Sequence, residues 1–137
     1  GFALAAGFGV SGLDKWIGSK LTGVSDWPLW LTILVICLAV TFLTELTSNT
    51  ATTTMILPIL GIAAVAATIH PIYFMVPATL AASFAFMLPV ATPPNAIVFG
   101  SGWVSIPKMS RAGLILNLIG AGIVTTAVLV LVRGLLI

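Results

Sequence analysis

Between Leu46 and Pro107 the sequence contains no aspartate, glutamate, lysine or arginine. The whole chain of 137 residues carries three acidic and five basic side chains, one histidine and one cysteine. That scarcity excludes several function classes. A net charge of +2, with the basic residues scattered, offers no electrostatic footprint for nucleic acid. Cys37 stands alone in an apolar run, so it reads as a small buried residue and not as a redox or metal group. His70 lies in a turn and reads as a wet polar residue. No His-Glu pair, Asp pair or Ser-Lys arrangement occurs in the apolar stretches, so an intramembrane enzyme lacks its catalytic set.

What is abundant is hydrocarbon. The chain is 60% hydrophobic, with a mean hydropathy of +1.25, which is outside the range of a soluble domain of this size. A membrane core takes about 20 apolar residues per helical pass, so the uncharged stretch holds roughly three. The chain is an all-α integral membrane protein. It opens on "GFALAAGFGV", without a methionine or a charged segment before the apolar residues. That start is read as the cut edge of a longer polytopic protein and not as a signal peptide.

Turn residues divide the chain. Residues 1–9 read as the end of a membrane helix. Residues 10–26 place Leu13, Trp16, Ile17 and Leu21 at helical spacing, with Asp14, Lys15 and Lys20 between them, as in an interfacial amphipathic helix. "WPLW" at 27–30 adds interfacial tryptophans, with Pro28 in a first helical turn. Residues 27–47 and 50–68 then read as two apolar helices joined at "SNT", together a hairpin over 27–69 with its tip at 48–50. Pro71 marks the next break. Residues 71–104 read as one long helix, interrupted at "TPPN" with an unwound stretch at 91–95. A short polar connection at 105–111 leads to a last transmembrane helix over 112–133.

Lys108 and Arg111 are paired in that connection, so the positive-inside rule puts 105–111 in the cytoplasm and the C-terminus outside. The turn near His70 is then outside, and the two helices around the tip leave from and return to the outer face. That parity is the same for two full crossings as for a hairpin that dips in and returns.

Polar residues concentrate where the apolar helices break, and most of the segment from Thr41 to Thr54 is polar. Ser48, Asn49 and Thr50 are strong N-cap residues, so a helix begins at about Thr50 or Ala51. Its free N–H groups and positive dipole end form an anion site at membrane depth, with neutral hydroxyl and amide donors around it. Thr41, Thr44 and Ser48 are spaced to share one helix face, and their oxygens suit a hard cation such as Na⁺. At the second break Pro93 and Pro94 lack N–H groups and leave the carbonyls of Leu88 to Val90 without their usual partners. Packing is the competing account of both clusters, since Ser, Thr and Pro also serve helix contacts and kinks. Glu45, an intramembrane carboxylate, either holds the tip together or tunes the cation site.

"TELTSNTATTTMILPI", followed by "SFAFMLPVATPPNAIVFGSG", closely resembles the second half of the divalent anion/sodium symporter family. These are the sodium-coupled di- and tricarboxylate (succinate, citrate) and sulfate carriers. The likeness continues through "RAGLILNLIGAGIV" and back to "GFALAAGFGVSGL". The resemblance implies a second inverted repeat made of a re-entrant helical hairpin, a broken transmembrane helix and a final transmembrane helix. It implies that Thr44, Ser48, Asn49 and the Ala91 carbonyl hold one co-transported sodium ion. It implies that Ser48, Asn49, Thr50, Thr92 and Pro93 line the anion, with Glu45, Pro94 and Asn95 in structural or tuning roles. It further implies elevator-type homodimers in the cell membrane, completed by an N-terminal repeat that supplies a second Ser-Asn-Thr tip. With one tip the chain carries half a site. The alternative reading is a non-transporting membrane scaffold or assembly subunit built from the same repeat.

Overall fold

A computed structural model of the chain describes residues 10–12, 16 and 27–135, with the backbone alone at Arg133 and Leu135. The helix end expected at 1–9 and nearly all of the interfacial helix expected at 10–26 lie outside the described residues. From residue 27 on, the described chain is five helices and no strand: α1 (Leu29–Thr44), α2 (Asn49–Ala66), α3 (Ile72–Ala81), α4 (Pro93–Gly100) and α5 (Ile106–Leu135).

Each boundary has a local cause. Pro28 precedes α1 in an extended conformation. A left-handed Thr68, at φ 57, closes α2. There the amide of Ile69 donates to Ala64 at 2.9 Å and that of Thr68 to Val65 at 3.0 Å, a Schellman ending usually built on glycine. Gly102, at φ 76, lies in the turn after α4. The last helix starts at Ile106 and not at 112, because Pro107 is accommodated in its first turn and the Met109 amide already bonds back to Ser105. Lys108 and Arg111 are therefore on α5, both exposed, and the connection shrinks to 101–105.

The long helix expected over 71–104 is interrupted earlier than at its "TPPN": of the stretch expected to be unwound at 91–95, Pro93, Pro94 and Asn95 are already helical. Helix α3 stops at Ala81, and residues 82–92 are non-helical before α4 begins at Pro93. Pro89 adds a third proline to the region and disfavours helix at Leu88. Side chains of α1 reach carbonyls at and near the end of α3, where Ala81 O also accepts from the Phe84 amide at 3.0 Å. The Thr41 hydroxyl donates to Ala81 O at 3.3 Å, and the Cys37 thiol approaches Pro77 O at 3.9 Å.

Helix α3 sits at the centre, touching α1, α2 and α5, whereas α1 and α2 touch each other only sparsely. The main core is built from small and β-branched residues: Ile33, Cys37 and Val40 of α1, Ala78 and Ala81 of α3, and Ala121, Val124 and Val128 of α5. Small residues let helix backbones approach closely where lipid gives no hydrophobic drive. Cys37 is fully buried, as expected. Helices α2 and α5 are long and apolar enough to cross a membrane. The outward face of α5 exposes Ile115, Ile119, Ile123, Val130 and Leu131, and no residue of α4 is buried.

Candidate functional site

The site grows from the turn between α1 and α2. Helix α1 ends at Thr44, three residues before the expected end, so Ser48 does not continue the Thr41–Thr44 face. Ser48 is instead the N-cap of α2, extended at φ −70 and ψ 142, and its Oγ accepts from the Ala51 amide at 3.1 Å. The Thr52 amide bonds to Ser48 O at 2.9 Å. Asn49 is already helical, one residue earlier than expected. The amides of Asn49 and Thr50 have no acceptor among the described residues. With the exposed hydroxyls of Ser48 and Thr50 they form a neutral, donor-rich helix start.

Behind that start lie three oxygens. The buried Thr44 Oγ1 is 2.6 Å from Asn49 Oδ1 and 3.0 Å from the Ala82 carbonyl oxygen. A hydroxyl has one hydrogen, so Thr44 donates to one of them and meets the other oxygen to oxygen. A hard cation among the three relieves that contact, and neutral side-chain and carbonyl oxygens are the ligands such an ion takes. Were the Asn49 amide turned over, its Nδ2 would donate to Thr44.

The non-helical segment is stitched rather than loose. Asn95 Nδ2 donates to Ala85 O at 2.7 Å and to Leu88 O at 3.0 Å. Leu88 O also accepts from the Ala91 amide at 3.2 Å, so it is not among the carbonyls left without a partner. The proline-rich start of α4 had implied otherwise, but the Asn95 side chain reaches back over its own N-terminus. Thr92 caps α4, its Oγ1 accepting from the Asn95 amide at 3.4 Å. Pro93 and Pro94 occupy the first helical positions, where a missing N–H costs nothing.

Glu45 joins the tip to this segment. Its carboxylate is 4% exposed. Oε1 accepts from the Met87 amide at 2.9 Å and Oε2 from the Leu88 amide at 3.1 Å. Oε1 also accepts from Asn117 Nδ2 of α5 at 2.7 Å. Charge-assisted bonds of this kind contribute about 1.5–3 kcal/mol each in favourable settings.

Of the residues singled out in the sequence, the structure brings Thr44, Asn49 and Glu45 to one place, with Ser48 and Thr50 at its rim. No hydrogen bond joins Ala91, Thr92 or Pro93 to these tip residues. The carbonyl against Thr44 is that of Ala82, which the sequence did not single out. Asn117 was also missed, although an amide midway along an otherwise apolar final helix was a visible signal.

Apolar helices interrupted at polar breaks, with a cluster of uncharged oxygens between them, are those of an integral membrane protein built on discontinuous helices. The chain belongs to the family described as the sodium:sulfate symporter transmembrane region, which matches residues 1–136. It is 55% identical to solute carrier family 13 member 2 of Mus musculus, over 93% of this chain and 22% of the relative. To solute carrier family 13 member 1 of Homo sapiens it is 51% identical, over 90% of this chain and 21% of the relative. To the Na(+)/dicarboxylate cotransporter 3 of Homo sapiens it is 45% identical, over 93% and 21%. These relatives are transporters and not enzymes, and the chain spans about a fifth of their length.

Proposed function

We propose that this chain is the C-terminal part of a sodium-coupled symporter for di- and tricarboxylates or sulfate, and that it contributes one sodium site and half of the anion site. The observation that carries this is the approach of Thr44, Asn49 and Ala82 oxygens directly behind the unpartnered amides of Asn49 and Thr50. Cation ligands and anion donors share one side chain there, so either ion organises the place of the other. Thr44, Ser48 and Asn49 hold sodium, with Ala91 closing the shell when the site is loaded. Ser48, Asn49, Thr50, Thr92 and Pro93 face the anion. Pro94 and Asn95 keep the break open and its carbonyls ordered.

The short α1 supports a re-entrant hairpin, although α2 is long enough to cross, and the short α3 and α4 support a broken helix. The 16 residues of α1 rise roughly 24 Å, less than the roughly 30 Å of a bilayer core. The 10 residues of α3 and 8 of α4 are half-helices of roughly 15 and 12 Å. In α5, 30 residues rise roughly 45 Å and span with length to spare. The exposed apolar faces of α4 and α5 meet lipid or the rest of the carrier. That remainder is an inverted N-terminal repeat with its own Ser-Asn-Thr tip, in an elevator-type homodimer of the cell membrane. Lys108 and Arg111 set the start of α5 in the cytoplasm, which leaves the C-terminus outside.

The test is uptake of labelled succinate, citrate and sulfate by the full-length protein in a sodium gradient, with a cysteine at Lys108 or Thr47 probed by membrane-impermeant thiol reagents. Sodium-driven uptake of one of these anions, substrate protection at Thr47 and labelling of position 108 from the cytoplasmic side alone are expected. A full-length protein that reaches the surface and moves none of the anions would be the scaffold or assembly subunit instead. Labelling of position 108 from outside would reverse the orientation.

A further inference from the structure

Asn117 is fully buried in the apolar middle of α5. Its amide is half satisfied. Nδ2 donates to Glu45 Oε1 at 2.7 Å, while Oδ1 has no partner among the described residues. A buried amide with an orphaned oxygen is worse for stability than a leucine of similar volume. Packing therefore does not account for an asparagine here, and the Nδ2 contact with Glu45 does.

The surroundings of Asn117 are shaped for that contact. Gly113 and Gly120 lie one turn to either side of it on the same face of α5. A Cβ on Gly113 would collide with the Phe86 carbonyl group and come within 2.6 Å of Met87 Cα; one on Gly120 would lie 2.9 Å from the Phe84 ring. The non-helical segment thus rests directly on the α5 backbone, with Asn117 at the centre of the contact and the Glu45 carboxylate pinned between them. Glu45 in turn holds the Met87 and Leu88 amides, four and three residues ahead of Ala91.

We infer that Asn117 is a positioning residue: through Glu45 it fixes the unwound segment against the tip, and so sets how much sodium the carrier needs to assemble its site. This rests on the symporter reading above. Asn117 touches neither ion. It supplies a fixed donor that leaves the Glu45 carboxylate one orientation, with both oxygens toward the backbone amides of the break. Without that donor the carboxylate is left with only its two bonds to the Met87 and Leu88 amides, and the segment from Ala82 to Thr92 is held less firmly beside Thr44.

The experiment uses the full-length carrier with Asn117→Leu, which keeps the volume and removes the donor, and Asn117→Ala, which removes both. Each is made alone and together with Glu45→Gln. Two quantities are read at equal surface amounts: the sodium concentration for half-maximal uptake, and the labelling rate of a cysteine placed at Val90, measured without sodium or substrate. Loss of the donor is expected to raise the sodium requirement by about tenfold in both Asn117 variants and to speed labelling at position 90 several-fold, a coupling of ordinary size for a buried pair. In the Glu45→Gln background a further change at Asn117 should add little. A packing role predicts that Asn117→Leu behaves as wild type while Asn117→Ala does not, and that result overturns the proposal. So do effects that simply add to those of Glu45→Gln, and so does failure of both variants to reach the surface, which would make Asn117 a folding element. If the unaltered carrier shows no sodium-driven uptake, the symporter reading fails, while the labelling rates still decide whether Asn117 holds the segment.

Discussion

Thr44 and Asn49 stand on opposite sides of a helix break, and their side-chain oxygens approach to 2.6 Å with the Ala82 carbonyl 3.0 Å from the same hydroxyl. Thr44 ends α1, Asn49 begins α2, and Ala82 follows the last residue of α3. Three helix ends therefore meet where charge is scarce. Each end contributes a neutral oxygen, one hydroxyl, one side-chain amide and one backbone carbonyl, the kind of ligand the proposed cation would need.

Replacing Thr44 by valine keeps the branched shape and removes the central oxygen. In the full-length protein Thr44→Val should raise the sodium concentration for half-maximal uptake by about tenfold, the loss of roughly 1.4 kcal/mol that one good ligand supplies. Surface expression should stay near normal, because the valine keeps the volume of the buried threonine. Unchanged sodium dependence would show that Thr44 only packs α1 on α3.

The glycines of α5 separate contact from mere helix propensity. Gly113→Ala places a methyl against the backbone of Phe86 and Met87, where nothing flexible can yield. It should destabilise by about 1–3 kcal/mol or more, as overpacking does. Gly122 has nothing within 4 Å of an added Cβ. Gly122→Ala should leave stability equal or raise it by up to about 1 kcal/mol, the helix-propensity difference. Thermal unfolding of the detergent-solubilised carrier checks both, and equal midpoints would mean that the segment does not lie on α5.

Thr68 is exposed and left-handed at φ 57, a conformation that β-branched residues avoid. Thr68→Gly relieves about 1 kcal/mol of backbone strain, part of it offset by the looser unfolded chain. A small rise in the unfolding midpoint is expected, with Thr68→Asn intermediate. A midpoint for Thr68→Gly below that of Thr68→Val would place the turn elsewhere.

The polar breaks were legible in the sequence because in lipid a polar run has few bland explanations. "SNT" announced a helix start through N-cap chemistry, and Ser48 caps α2. Pro93 and Pro94 announced a break; the expected unwound stretch includes them, but they open α4. The extent of the second break was not legible. The alanines and phenylalanines of 82–86 read equally well as helix, and what holds them out of helix is tertiary: Asn95 bonding Ala85 and Leu88, Glu45 bonding Met87 and Leu88, and Gly113 giving the backbone room. The Ala82 carbonyl was hidden for the same reason, since backbone oxygens carry no residue signature. The pairing of Asn117 with Glu45 was hidden by distance, 72 residues along the chain.

In the proposed site Asn49 is the residue that would serve both ions, its Oδ1 turned to Thr44 and its backbone amide without an acceptor among the described residues at the start of α2. Asn49→Asp keeps the size and the inward oxygen but adds a negative charge where the anion binds. At about 4 Å and an effective dielectric near 20, like charges repel by about 4 kcal/mol, or roughly a thousandfold in affinity. The same charge attracts sodium, so the variant should need less sodium and yet fail to take up anion. Asn49→Ser shortens the side chain without adding repulsion, so its loss should be milder and recoverable at high anion concentration. Uptake measured at saturating sodium across a range of anion concentrations, at matched surface amounts, separates the two. If Asn49→Asp transports as well as Asn49→Ser, the amide does not face the anion, and the polar residues from Thr44 to Thr54 hold helices together and nothing more.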